Sequence, residues 1–290
     1  MLTPIDIDPK TFLRQNYTLP ALPDVVSQIQ SIIYKDDVDI QKIADLVSAD
    51  PSLVAQILKI VNSAYYGLPK EVTKVRVAIA FLGLNEIYRM TLSLSVINTL
   101  AIKEKDELNK FWFHSFYTAL CTKYLAKKYE PLLSSEELWS AAILHDIGKL
   151  AYLKFFPDHY KALISFCKEH GSMFSDAEKH FSLPSSSFFG TLLCDHWRLP
   201  TKVRQSCECH TLKDLLSIQK NSPSAGFQRM ICLGNLIAIF SAEELSELSR
   251  QELIDAVNAS IGCSKEEFLV IMGDIYEQRA EVERFMGQFS

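Results

Sequence analysis

The sequence predicts an all-α protein, and three observations carry that expectation. Glycine and proline are sparse, 10 and 11 among 290 residues, so the stretches between breaks are long. Within those stretches apolar residues recur at three- and four-residue spacing rather than in strict alternation. Apolar residues make up 48% of the chain and mean hydropathy is +0.05, enough to bury the core of one large or two small domains.

Charge and cysteine usage narrow the class further. The net charge of −5 is mild, and cations interleave with acids along most of the chain. The densest basic cluster, Lys123, Lys127 and Lys128, is too narrow for a nucleic-acid interface, so no nucleic acid is expected. The opening Met1-Leu-Thr-Pro-Ile-Asp lacks the basic and apolar regions of a secretory signal. The longest apolar runs, Leu92 to Ile102 and Met230 to Phe240, are too short and too polar-punctuated to span a bilayer. Seven cysteines include no Cys-x-x-Cys pair, and Cys207 and Cys209 stand one residue apart. Reduced thiols in a cytoplasmic protein with no membrane partner are the expectation.

In chain order, Leu19-Pro-Ala-Leu-Pro-Asp24 closes a lead-in, with Asp24 placed to cap a helix through Ile33. A short helix covers Ile40 to Val47. Asp50-Pro51 pairs an N-cap with proline at the first helical position and opens a helix that ends at Tyr65-Tyr66-Gly67. A helix pair jointed at Gly83 fills Val75 to Ile102. The charged stretch from Lys103 to Asn109 marks a subdomain boundary, and Phe111 begins a helix to Lys128. After the next segment, Pro157 opens a helix ending near Gly171, Ala177 to Pro184 is a break, and helices follow over Ser186–His196 and from Lys202 to about His210. Gln219 to Gly226 is a loop, and two or three helices finish the chain.

The segment between those helices, Ser134 to Leu150, draws attention. Ser134 followed by Glu137 is a capping-box pattern, and Leu138, Ala141, Ala142, Ile143 and Leu144 face inward. His145 and Asp146 then stand where the pattern wants hydrocarbon, and Gly148 is expected to loosen or end the helix. A buried His beside a buried carboxylate needs a partner. Two explanations stay open: a bound metal ion, or a local hydrogen bond inside the bundle. Cys209-His210 lacks an orienting Asn or Asp for nucleophilic work. Glu178 is expected to make a structural hydrogen bond or a helix cap, and His159, His170 and His196 to be solvated.

Leu19-Pro-x-Leu-Pro, Ala49-Asp-Pro51, Lys59-Ile-Val-Asn-Ser-Ala-Tyr-Tyr-Gly67, Ala80-Phe-Leu-Gly83, Trp112-x-His114-Ser115 and Trp197-x-Leu-Pro200 resemble the HDOD domain. That is a bacterial signalling module related to the HD-domain metal-dependent phosphohydrolases, and the likeness runs over roughly residues 17 to 211. It implies a multi-helix HD-like core preceded by a helical subdomain: residues 1–16 a lead-in, 17–105 the N-terminal subdomain, 106–215 the degenerate core, and 216–290 helices completing it.

The resemblance also implies a site. His114 matches the first metal ligand of HD phosphohydrolases, and His145 with Asp146 match the pair. Where a distant Asp is expected the chain has Asn235. The places where HD-GYP relatives carry a further His and a His-His pair hold Ser186, His210 and Thr211, and Lys149 matches a phosphate-contacting lysine. An amide and hydroxyls are weaker ligands than the carboxylate and imidazoles they replace. The expectation is therefore at most one divalent metal (Mn, Fe, Zn or Mg) and a chain leaning away from catalysis. It would act in trans by binding a regulatory signalling protein or a nucleotide-like ligand; a homodimer is neither required nor excluded. The alternative is a metal-dependent phosphohydrolase or phosphodiesterase with weak residual activity.

Overall fold

The computed structural model describes residue 5 and residues 19–33, 39–63, 65–219 and 221–286, so the expected lead-in over residues 1–16 lies almost wholly outside the described residues. The described residues form helices and loops with no strand. They divide into two compact units, one of Leu19–Ala101 with the end of the chain from Glu281, the other of Ile102–Ala280.

The first unit holds α1 (Asp24–Ile33), α2 (Ile40–Ser48), α3 (Pro51–Val61), α4 (Val75–Leu82) and α5 (Leu84–Thr99). Side-chain caps set where two of them start. Asp39 accepts from Lys42 N at the head of α2, and Asp50 accepts from Ser52 N and Leu53 N ahead of Pro51. Gly83 at φ +86 makes the joint between α4 and α5. Asn62 closes the α3–α4 loop by donating to Val72 O and accepting from Val72 N, at 2.8 and 2.7 Å. Tyr65 is buried and meets Tyr66 edge to face at 4.8 Å, so this aromatic pair is packed in its own unit.

The second unit holds α6 (Lys105–Tyr129), α7 (Ser135–Leu144), α8 (Ile147–Phe155), α9 (Pro157–His170), α10 (Phe174–His180), α11 (Ser186–Trp197), α12 (Thr201–Glu208), α13 (Leu212–Ser217), α14 (Ala225–Ala242), α15 (Glu247–Ile261) and the greater part of α16 (Lys265–Met286). Its axis is α6 against α14. The two approach so closely that a Cβ at Gly234 would meet Thr122 Oγ1 at 2.0 Å. Within α14 every residue from Met230 to Ile239 is buried. That helix is the one among the described residues long and apolar enough to cross a membrane by length and composition, longer than the apolar run the sequence suggests. Most of it is spent on the core.

Four boundaries differ from the sequence expectation. α3 ends at Val61 rather than at Tyr65-Tyr66-Gly67, and α6 begins at Lys105 rather than at Phe111. Phe174 to His180 is helical, which moves the break to residues 181–185. The Ser134–Leu150 segment is interrupted at His145-Asp146, not at Gly148. Gly148 sits inside α8, where its missing side chain lets α8 lie on the start of α11: a Cβ there would fall 1.8 Å from Ser186 O. The glycine serves helix contact rather than helix termination.

Candidate metal centre

Three helix ends and two helix interiors converge on Asp146. Ser134 Oγ accepts from Glu137 N to start α7, whose apolar stripe is wholly buried and carries His145 and Asp146 into the core. The chain turns there (Asp146 φ −103, ψ 15), and α8 begins at once with Lys149 in its first turn. His114 comes from the middle of α6, Asn235 from the middle of α14, and His210 from the residues just past α12. His145, Asp146, His210 and Asn235 are each no more than 3% exposed.

The distances are short. Lys149 Nζ lies 2.7 Å from Asp146 Oδ2. His114 Nε2 and His145 Nε2 lie 3.3 and 3.4 Å from the same oxygen and 3.3 Å from each other. His210 Nε2 lies 3.3 Å from the other carboxylate oxygen, Oδ1. Asn235 Nδ2 donates to His210 O at 2.9 Å, which aims its Oδ1 at His114 Nε2, also at 2.9 Å.

These contacts assign the imidazole protons. His145 Nδ1 lies 2.6 Å from Ala142 O and His210 Nδ1 lies 3.0 Å from Ser206 O. A carbonyl can only accept, so each Nδ1 carries the hydrogen and each ring turns its Nε2 towards Asp146. Backbone carbonyls fix ring orientation in this way around metals. His114 is arranged differently: its Nε2 faces the Asn235 oxygen and donates to it.

Charge follows from the same geometry. Burial opposes ionisation of Asp146, but Lys149 and then the imidazoles of His145 and His114 outweigh it and hold the carboxyl well below its usual range. Burial likewise opposes the charge on Lys149, and Asp146 more than restores it, raising the lysine. His145 is lowered, burial being the main cause. His210 is raised: burial pulls down, but its contact with Asp146 wins. Lys149 also lies over the Phe174 ring, 5.1 Å from its centroid.

The remaining sequence candidates fall outside this shell. Ser186 takes part through its backbone: its N–H donates to Glu178 Oε1 at 2.5 Å and its carbonyl abuts Gly148. Thr211 caps α13 in a reciprocal box with Asp214. Glu178 is buried and makes the structural hydrogen bond expected of it.

Glu178 supplies a pH prediction. Burial pushes its carboxyl up to about 7 from 4.5, with the Ser186 hydrogen bonds, Lys149 and His210 opposing. An acid raised in the fold carries no penalty below its unfolded value, where both states are protonated. The penalty grows as pH rises through the folded value, to about 3 kcal/mol. Denaturant unfolding of the wild type and Glu178→Gln at about pH 5 and about pH 8 should show the difference move in favour of the variant at the higher pH. Equal differences at both would refute a raised Glu178.

As a donor set the cluster fits a metal. One ligand atom each from His114, His145 and Asp146 lie within 4.8 Å of one another, and Asn235 Oδ1 and His210 Nε2 stand beside them. Two imidazoles with a carboxylate suit Mn, Fe or Zn better than hard-cation cages of oxygen.

An all-helical unit built around a buried His-Asp dyad defines the class: an HD-type helical module. Within that class, the HDOD domain profile matches residues 19–212, and the chain belongs to the HDOD family. It is 25% identical to an uncharacterised protein of Treponema pallidum (strain Nichols) over 192 residues, 66% of this chain and 37% of that one. The match thus spans little more than a third of the relative's length. Among solved structures, a candidate phosphohydrolase from Shewanella amazonensis SB2B is 21% identical with a TM-score of 0.70, covering 96% of this chain and 97% of that one. An HDOD domain protein of unknown function from Geobacter sulfurreducens is 20% identical with a TM-score of 0.67 and 96% of each chain covered. A candidate signal transduction protein from Marinobacter aquaeolei VT8 is 19% identical with a TM-score of 0.70, covering 98% of this chain and 61% of that one. At these identities the likeness establishes the fold.

Proposed function

We propose that the chain is a non-catalytic signalling module of the HDOD type, which binds a regulatory protein or a nucleotide-like ligand and holds at most one divalent cation. The observation that carries this reading is the Lys149–Asp146 contact at 2.7 Å. The buried carboxylate draws a counter-charge from within the chain, although neither oxygen makes a hydrogen bond. Two of the three positions that would complete a second metal site are spent elsewhere, Ser186 on packing and Thr211 on a helix cap, and only His210 faces the cluster. A two-metal clamp on a phosphate needs nearly all its ligands.

If a cation binds, His114, His145 and Asp146 would hold it, with Asn235 as a weak oxygen donor. A bound cation would supply Lewis acidity and a water of lowered pKa. That keeps a second reading in play, a phosphohydrolase with weak residual activity. The observation favouring it is the pair of imidazoles, His145 and His210, already turned with Nε2 towards Asp146. In that reading Lys149 would meet the phosphate.

The test is elemental analysis of chelator-treated protein offered Mn²⁺, Fe²⁺ or Zn²⁺, with His145→Ala alongside and circular dichroism to verify its fold. We expect no more than one equivalent, with affinity in the variant falling by more than the roughly 10–100-fold typical of losing an outer partner. Phosphate mono- and diesters, cyclic dinucleotides included, should not turn over with any of the three metals. Metal-dependent hydrolysis that disappears in His145→Ala would overturn the non-catalytic reading.

A further inference from the structure

Two cysteine pairs flank α12. On one side Cys207 Sγ lies 3.7 Å from Cys194 Sγ of α11; on the other Cys209 Sγ lies 3.7 Å from Cys232 Sγ of α14. The pairs match in distance and differ in access. Cys194 and Cys207 are 1% and 0% exposed, whereas Cys209 is half-buried and reaches solvent beside a fully buried Cys232. An oxidant can therefore meet the second pair and not the first, since access is one of the controls on thiol oxidation.

The second pair also adjoins the His-Asp cluster. Cys209 immediately precedes His210, and Cys232 lies one helical turn before Asn235. Those two neighbours are joined by the 2.9 Å bond from Asn235 Nδ2 to His210 O. Bond formation would bring the sulfurs from 3.7 Å to about 2.05 Å and so draw the end of α12 onto α14.

We propose that Cys209 and Cys232 are an oxidisable dithiol whose disulfide resets the placement of His210 and, through Asn235, of His114. The oxidant is a hydroperoxide. The Cys209 sulfur attacks the terminal peroxide oxygen, an S–O bond forms as the O–O bond breaks, and the leaving oxygen departs with a proton as water or alcohol. Cys232 then attacks the sulfenic sulfur, the S–S bond forms, the S–O bond breaks, and water leaves. Two thiols lose two electrons and the peroxide is reduced by two. The step uses no metal, so it stands or falls apart from the metal reading.

The experiment treats folded, reduced, metal-free protein with hydrogen peroxide. Expected are a mass about 2 Da lower, loss of two titratable thiols, a mapped Cys209–Cys232 peptide and full reversal by dithiothreitol. Ring resonances of His114 and His210 should shift on oxidation of the wild type and stay put in Cys209→Ser, which removes the accessible partner without opening a core cavity. Cys232→Ser should likewise block the cross-link. A Cys194–Cys207 link instead, or oxidation of Cys209 without any cross-link, would overturn the dithiol. A mapped Cys209–Cys232 bond with unmoved imidazole resonances would overturn its coupling to the cluster.

Discussion

Gly148→Ala should cost about 3 kcal/mol or more, among the largest effects of any single methyl in this chain. The added Cβ would fall 1.8 Å from Ser186 O, 2.7 Å from Ser186 C and 2.8 Å from Gly190 N. All three are backbone atoms of α11, so no side-chain rotation can relieve the contact and one helix must move. Movement of α8 carries Lys149 with it and stretches the 2.7 Å contact to Asp146. Gly190 supplies the comparison. A Cβ there meets Cys207 Cβ at 3.1 Å, close enough to need a small adjustment but no helix shift. Thermal unfolding should place Gly148→Ala roughly 6–12 °C below wild type and Gly190→Ala well above it. Equal melting temperatures for Gly148→Ala and wild type would mean that the α8–α11 approach is looser than the structure has it.

Much of the fold is legible in the sequence because helix ends are written locally. Asp50-Pro51, Ser134 and Gly83 announce themselves within four residues; the structure uses the first and last as read and Ser134 as a side-chain N-cap. Gly148 shows where local reading stops. A glycine after a polar pair looks like a helix end, yet its role is set by Ser186 in another helix, which no local window contains. The site divides the same way. His145 and Asp146 stand out as polar residues at the end of an apolar stripe, His114 is legible only through the family resemblance, and the three do come together.

Adjacent residues can part company. His210 turns into the cluster while Thr211 caps α13, and spacing alone treats them as a pair. The signal that separates them is present: Thr211-x-x-Asp214 is a capping-box pattern, which commits Thr211 to a helix start. The role of Lys149 was legible only as a phosphate contact implied by resemblance. That it neutralises Asp146 depends on α8 beginning directly after the dyad, a consequence of tertiary packing.

Lys149→Met should destabilise the protein by about 3 kcal/mol near neutral pH. Asp146 is 2% exposed, and its ionised form is tolerated chiefly because Lys149 Nζ stands 2.7 Å away. Methionine keeps about the length of the lysine stem and removes the charge, together with its cation–π contact to Phe174. What remains is a buried carboxylate without its strongest partner, costlier than having neither group. Asp146→Asn in the Lys149→Met background should therefore recover much of the loss, so that the double variant is more stable than the sum of the singles predicts. The deficit of Lys149→Met should also shrink as pH falls from about 8 to about 5.5. His210, raised by Asp146 above its ordinary value, takes up a proton as pH falls and supplies a replacement cation. The sign is definite: the variant gains on the wild type towards acid and loses towards alkali. Strict additivity of the two substitutions in denaturant unfolding would show that Asp146 and Lys149 do not depend on each other. The non-catalytic reading would then lose its supporting observation, because the dyad would need another cation to stay charged in the core.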